Sequence, residues 1–154
     1  MNPDFLKRSI EIARKSVESG GGPFGAVVVK DGKILAEAEN SVTRDLDPSA
    51  HAEVNAIRKA CLALGTHDLS QAEIYCSCEP CPMCLSTIYW ARLSKIHFAA
   101  SRFDAAKAGF DDAFIYDELE KSVKNRRIPM DKTSLPEADE PFAAWSRKKD
   151  KKEY

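Results

Sequence analysis

The chain has 154 residues, of which 44% are hydrophobic and 31% are charged. This size and composition suit one globular domain with its own core and are small for two. The formal net charge is −1 and the pI is near 6.3, which argues against a protein built to bind nucleic acid. No apolar run approaches the roughly 18 residues of a membrane span, and no secretory signal pattern opens the chain, so we expect a cytoplasmic location.

The first half of the chain predicts a helix, a hairpin and a second helix. An approximate apolar stripe predicts the first helix over 5–17, which the glycines at 20–22 end. Two strands, 25–30 and 33–36, flank Asp31-Gly32, a dipeptide typical of two-residue hairpin turns. Asp47 and Pro48 are a plausible cap and first residue of the second helix, which stops near Gly65.

The second half continues the alternation and then weakens. A strand over 74–78, a helix over 80–91 and a strand over 95–100 indicate parallel pairing with helices covering the sheet. Short helices are expected over 105–109 and 113–120, and Pro129 allows at best a short edge strand over 127–130. A terminal helix is predicted over 142–152, apolar at Phe142 and Trp145. We interpret the basic residues of its last turns as a solvated helix end, with nucleic-acid contact as the alternative.

Two short fragments, His51-Ala52-Glu53 and Pro80-Cys81-Pro82-Met83-Cys84, contain three residues of the types that bind zinc and one carboxylate. Cys81 and Cys84, three apart at the start of a predicted helix, share one helix face, so both thiolates can bind one ion. Three protein ligands leave a fourth tetrahedral position for water, which is typical of catalytic zinc. The sequence therefore predicts a catalytic zinc centre held by His51, Cys81 and Cys84.

Glu53 lies two residues after His51, or roughly 200° around a regular helix, so we do not expect it to bind the metal in the same way. Its side chain can lean toward the helix N-terminus and reach a zinc-bound water, whose pKa zinc lowers toward about 7. That is the position of a proton shuttle. The paired fragments match the H-x-E and P-C-x-x-C signature of zinc deaminases.

Other interpretations of these residues remain open at this point. Cys78 forms a second C-x-x-C with Cys81 and is an alternative ligand, although it ends a strand. Cys61 and Cys76 are expected to be reduced core residues. The cysteines could also belong to a structural zinc site or a redox pair in a non-catalytic interaction domain. In that case Glu53 would be replaceable without consequence.

Further segments carry a resemblance that covers nearly the whole chain. They are Gly22-Pro23-Phe24-Gly25-Ala26, Asn40, His51 to Ile57, Glu79 to Cys84, Tyr89-Trp90-Ala91-Arg92, Ala108 to Asp112 and Lys151-Lys152-Glu153-Tyr154. With these segments the chain resembles the cytidine-deaminase-like superfamily, specifically its branch of bacterial guanine deaminases. The resemblance implies a three-layer α/β/α sandwich with a five-stranded mixed sheet, one zinc-dependent domain over 1–154 and one zinc ion per subunit. It also implies a homodimer that exchanges the segment from about 134 to 154, and the hydrolysis of guanine to xanthine and ammonia.

The same resemblance implies roles for individual residues. Glu53 would carry a proton from the water to the purine, and Asp112 would assist protonation of the leaving amino group, with Asp111 as the alternative. The residues implied to contact the substrate are Phe24, Asn40, Ala52, Trp90 and Tyr154. Phe24 can stack on the base and Asn40 can bond its polar edge. For Trp90, core packing at a helix end is the plainer interpretation.

The substrate itself has alternatives with the same chemistry. Guanosine, cytosine and ammeline each carry a ring amino group that water can replace. Adenosine in transfer RNA is another, because its deaminases share both fragments. Such an enzyme must neutralise phosphates, and the balanced charge of this chain argues against it. We therefore expect a small purine base and water as substrates, with neither nucleic acid nor membrane as a partner.

Overall fold

The computed structural model describes residues 2–153 and comprises two compact units, with the boundary between Ala113 and Phe114. In chain order the helices and strands are α1 Pro3–Glu18, β1 Gly25–Lys30, β2 Lys33–Glu39, α2 Val42–Asp45, α3 Ala52–Leu64, β3 Ala72–Cys78, α4 Pro82–Trp90, β4 Lys95–Ala100, α5 Arg102–Lys107, α6 Ala113–Glu120 and α7 Glu140–Arg147. Within the described range, no helix is both long and apolar enough to cross a membrane.

The strands form one mixed sheet in the order β2-β1-β3-β4, which confirms the predicted α/β class. β1 is antiparallel to both of its neighbours, whereas β3 and β4 are parallel. The β1–β2 hairpin turns at Asp31 and Gly32, both with positive φ, as the dipeptide predicts. Helix α4 makes the crossover between the two parallel strands, and α3 connects β2 to β3 across the intervening β1.

The implied fifth strand is absent from residues 2–153, where the sheet has four strands. Residues 127–130, the weak strand candidate, have no regular secondary structure. Pro129 has no N–H to donate to a ladder. The backbone N–H of Arg127 donates instead to Glu118 Oε2 at 2.6 Å. The expectation of a five-stranded sheet is therefore wrong for the described chain.

The sheet separates two layers of helices. Val27 and Val29 of β1 share one face with Tyr75, where they pack against Ile12 of α1. The alternate residues of β1 form the larger core on the other face, together with residues of α3 and α4. Successive side chains of a strand point to opposite faces of the sheet, so a buried strand packs against a layer of helices on each face. The result is an α/β/α arrangement.

Several predicted helix boundaries differ from the structure, including those of α5, which covers Arg102–Lys107 where the sequence predicts 105–109. Helix α1 starts earlier than predicted because the Asn2 side chain accepts a hydrogen bond from the Asp4 N–H. Helix α3 starts at Ala52, and the prediction of a start at Asp47-Pro48 is wrong. Helix α7 ends at Arg147, so the prediction that it extends to 152 is wrong and most of the basic residues follow the helix.

Candidate metal centre

The predicted ligands stand at the starts of two helices. His51 is the N-cap of α3 and Cys81 is the N-cap of α4, both with extended backbone, and neither side chain makes a capping hydrogen bond. Cys84 lies in the first turn of α4 and is fully buried. An N-cap side chain projects beyond its helix, so both are free to turn toward a shared point. The positive ends of both helix dipoles favour anionic sulfur there.

The structure brings the three ligand atoms together. The side chains of His51, Cys81 and Cys84 offer atoms that all lie within 4.8 Å of one another. His51 Nδ1 is 3.6 Å from Cys81 Sγ and 3.4 Å from Cys84 Sγ. Tetrahedral zinc with ordinary Zn–N and Zn–S bonds would separate nitrogen from sulfur by about 3.6 Å. The donor set and its spacing therefore fit zinc.

The protonation of these groups is strongly coupled. The pKa of Cys81 is lowered to about 4 despite its burial. The main cause is a hydrogen bond from the Cys84 thiol, and a hydrogen bond from His51 adds to it. The Cys81 sulfur in turn raises the pKa of His51 and that of Cys84. A second thiolate at this point therefore requires a compensating cation. Binding of a metal ion here would release protons.

Glu53 lies directly against this cluster. It is the second residue of α3 and is only 5% exposed, and the Cys84 thiol donates to its Oε2 at 3.4 Å. Burial, opposed by its own backbone N–H, raises the pKa of its carboxyl group. A carboxyl with a raised pKa holds a proton more readily than a solvated one does, which suits a group that accepts and returns a proton in general acid–base chemistry. The helix start, which sequence spacing alone does not determine, provides this approach.

The charge of this cluster also acts on Asp112. Burial is the main cause that raises the pKa of the Asp112 carboxyl group, and the charge of Cys81 raises it further. The adjacent Asp111 is turned to local structure, since its Oδ1 accepts the Ala113 N–H at 2.9 Å. Of the two candidate acids, Asp111 therefore caps a local turn, whereas the Asp112 carboxyl group responds to the charge of Cys81.

Phe24 and Asn40 flank one point beside Gly22. A Cβ at Gly22 would lie 3.2 Å from Asn40 Oδ1 and 3.4 Å from Phe24 Cδ2. Asn40 is 8% exposed, and its Oδ1 accepts the Val42 N–H at 3.3 Å. The Phe24 ring meets the Phe110 ring edge-on, with centroids 5.0 Å apart. Sequence reasoning assigned no role to Phe110, whose only signal was its place two residues before Asp112.

The remaining predicted residues are placed as follows. Ala52 is fully buried between His51 and Glu53. Trp90 ends α4, at the opposite end of that helix from Cys81, and it is 65% exposed, so core packing is wrong for it. Tyr154 lies outside the described residues. Cys78 is not part of the cluster, because its thiol donates to Ser101 O at 3.5 Å and burial raises its pKa to about 11.

Comparisons with known proteins agree with this geometry. Residues 2–100 match the family model for the cytidine and deoxycytidylate deaminase zinc-binding region. The guanine deaminase of Bacillus subtilis (strain 168) is 55% identical over 151 residues, which are 97% of each chain. The X-ray structure of a Bacillus subtilis guanine deaminase has a TM-score of 0.97 and 54% identity, covering 100% of this chain and 99% of that one. The tRNA-specific adenosine deaminase of Aquifex aeolicus (strain VF5) is 35% identical, covering 94% of this chain and 93% of the relative. The chain therefore belongs to the cytidine and deoxycytidylate deaminase family of zinc-binding enzymes.

Proposed function

We propose that this chain is a guanine deaminase that hydrolyses guanine to xanthine and ammonia. The observation that carries the proposal is the buried Glu53 carboxyl beside the three donor atoms of His51, Cys81 and Cys84. The substrate assignment is supported by the guanine deaminase of Bacillus subtilis, which is similar over nearly its whole length. The relative that acts on transfer RNA is less similar, at 35% identity.

The carboxyl groups of this chain would manage the protons. Zinc held by His51, Cys81 and Cys84 would act as a Lewis acid and lower the pKa of a bound water. Glu53 accepts a proton as water adds to the amino-bearing carbon and then delivers it to the purine ring. Asp112 supplies a proton to the amino group, which leaves as ammonia when the carbon–nitrogen bond breaks. The added hydroxyl gives its remaining proton to the Glu53 carboxylate as its oxygen becomes the carbonyl, and return of that proton to Asp112 restores both carboxyl groups. The raised pKa values of both carboxyls suit these transfers.

The substrate base would lie between the metal centre and the Phe24 side chain. Phe24 offers a ring face for stacking, and Asn40 offers an amide to the polar edge of the base. Ala52, Trp90 and Tyr154 complete the proposed contacts. Because Trp90 ends α4 away from Cys81, its contact would require a neighbouring subunit.

We include a homodimer with one zinc ion per subunit in the proposal. None of residues 114–153 is buried, and Leu119, Ile128 and Phe142 are 59%, 77% and 72% exposed. Apolar side chains exposed in such number are typical of an interface. Exchange of the segment from about 134 to 154 between subunits would cover some of them. All five cysteines are free, as suits a cytoplasmic enzyme.

Ammonia release tests the proposal. Zinc-loaded protein is incubated with guanine, guanosine, adenine, cytosine and ammeline, with Glu53→Gln as the control of equal size. We expect release from guanine, and a loss of about 10²–10⁴-fold in the control at unchanged zinc content. No release from any base or nucleoside by the zinc-loaded protein would refute the proposal. The next substrate to test would then be transfer RNA.

A further inference from the structure

Glu79 connects the loop of residues 79–81, which we call the metal loop because it leads into Cys81, to the start of α5. Its backbone N–H donates to Ala100 O at 2.8 Å, and its Oε2 accepts the Arg102 N–H at 3.0 Å. The neighbouring Cys78 thiol donates to Ser101 O. Three consecutive residues at the end of β4 are thus held by the two residues that lead into Pro80-Cys81.

Hydrogen bonds fix both ends of α5. Ser101 and Asp104 form a reciprocal capping box at the start of α5. At its end, the Gly109 N–H donates to Ala106 O and the Phe110 N–H donates to Ala105 O, while Gly109 has a φ of 92°. This is the Schellman arrangement, in which glycine takes the left-handed position and reverses the chain. A shift at the start of α5 is therefore transmitted to the residues that follow it.

Those following residues belong to the site. Phe110, two residues before Asp112, packs edge-on against Phe24 with ring centroids 5.0 Å apart, and the charges of Cys81 and Arg102 act in opposite directions on the pKa of the Asp112 carboxyl group. We infer that Glu79 is a positioning residue: its carboxylate holds the Arg102 N–H and thereby keeps Asp112 directed at the metal centre. This inference rests on the proposed function, because it assigns Glu79 a role through Asp112 in the same reaction.

A double-mutant cycle tests the inference. The variants are Glu79→Ala, Asp112→Asn and the combination, assayed for kcat and KM with guanine at measured zinc content. Misplacement of a reacting group by about 1 Å can cost roughly 100-fold, so we expect Glu79→Ala to lower kcat by about 10- to 100-fold with little change in KM. In the Asp112→Asn background the same substitution should cost less than about twofold. An equal loss in both backgrounds would overturn the inference.

Two further variants separate positioning from general stability. Glu79→Gln keeps an oxygen that accepts the Arg102 N–H, and we expect it to restore kcat to within about threefold of wild type. Asp68→Ala is the matched control, because Asp68 Oδ1 accepts the Ser70 N–H in the same way but far from α5 in the chain. It should leave kcat unchanged. Loss of zinc in Glu79→Ala would overturn the inference, since Glu79 would then support the metal loop instead.

Amide hydrogen exchange provides a readout that does not depend on the substrate. We expect faster exchange over 108–113 in Glu79→Ala, with no such change in Asp68→Ala. Unchanged exchange in Glu79→Ala would contradict the inference even if guanine is the substrate. Conversely, if the wild-type protein fails to deaminate guanine while the exchange changes as expected, the proposed function fails and the structural link stands.

Discussion

The Asn55 side chain lies within hydrogen-bonding distance of three acceptors in the segments that precede the metal ligand His51. Its Nδ2 lies 3.1 Å from Glu39 O, 3.0 Å from Ser41 Oγ and 3.2 Å from Ala50 O. Two of these are backbone carbonyls that only accept, so the surroundings determine which way the amide faces. One side chain therefore joins the end of β2 to the residue immediately before His51.

Asn55→Asp keeps the size of this side chain and removes its two donated protons. Each hydrogen bond contributes roughly 0.5–1.5 kcal/mol net, so the loss of two lowers the free energy of unfolding by about 2 kcal/mol. The new carboxylate would also face carbonyl oxygens, which raises the expected loss to about 3 kcal/mol at pH 7. Asn55→Ala lacks that charge and should lose about 2 kcal/mol.

The difference between the two variants should depend on pH. Facing carbonyls disfavour the charged form, so the folded pKa of the new carboxyl lies above its unfolded value of about 3.9. The extra loss is therefore absent below the unfolded pKa and develops as the pH rises through the folded pKa. Urea unfolding of wild type and both variants between acid and neutral pH measures it. If Asn55→Asp were as stable as wild type at pH 7, the assigned bonds would be wrong.

Three other perturbations test separate parts of the compact unit that ends at Ala113. Arg8 lowers the pKa of Glu37 by hydrogen bonding, with side chains 34% and 38% exposed, so Glu37→Gln should cost about 0.5–1 kcal/mol. That cost should disappear as the pH falls through the lowered pKa in urea unfolding, and a cost independent of pH would contradict the pairing. Cys78→Ser should retain its zinc in metal analysis. Cys84→Ser should lower the zinc affinity by more than the roughly 10–100-fold that is typical when a residue supporting a metal ligand is lost. An equal loss of affinity in the two variants would indicate that Cys78 is a ligand. Gly109→Ala should lose about 1–2 kcal/mol in thermal unfolding because of backbone conformation alone, since nothing lies within 4 Å of its added Cβ, and an unchanged melting temperature would contradict this.

The central strands and the ligand set could be predicted from the sequence because both depend on local patterns. The range of the central strand β1 matches its prediction, and the Asp31-Gly32 turn forms as expected. Asp47 misled the helix prediction for an identifiable reason. Its carboxylate accepts both the Ser49 N–H and the Ser49 hydroxyl, and so forms a turn before the helix. The residue types that cap helices also close such turns.

Residues brought together by tertiary structure could not be predicted from their spacing. Phe24 and Phe110 lie far apart in sequence, yet their rings touch. Asp112 follows a short helix whose first residue, Arg102, donates its backbone N–H to the Glu79 carboxylate and whose end is reversed at Gly109. No periodicity encodes such contacts. A family resemblance suggested Phe24 and Asp112, but only the fold supplies the physical link between them.

The two signature fragments, His51-Ala52-Glu53 and Pro80 to Cys84, place their functional side chains in the same way at a helix start. Each places its first ligand, His51 or Cys81, at an N-cap with extended backbone, and each buries a second group within the following turn, Glu53 or Cys84. An N-cap leaves the helix while the next residues enter it, so the two side chains of a fragment approach one point from different directions. Spacing read on a regular helix separates His51 from Glu53, whereas the helix start brings both to the same centre. The H-x-E spacing is therefore explained by where the helix begins and not by helical periodicity.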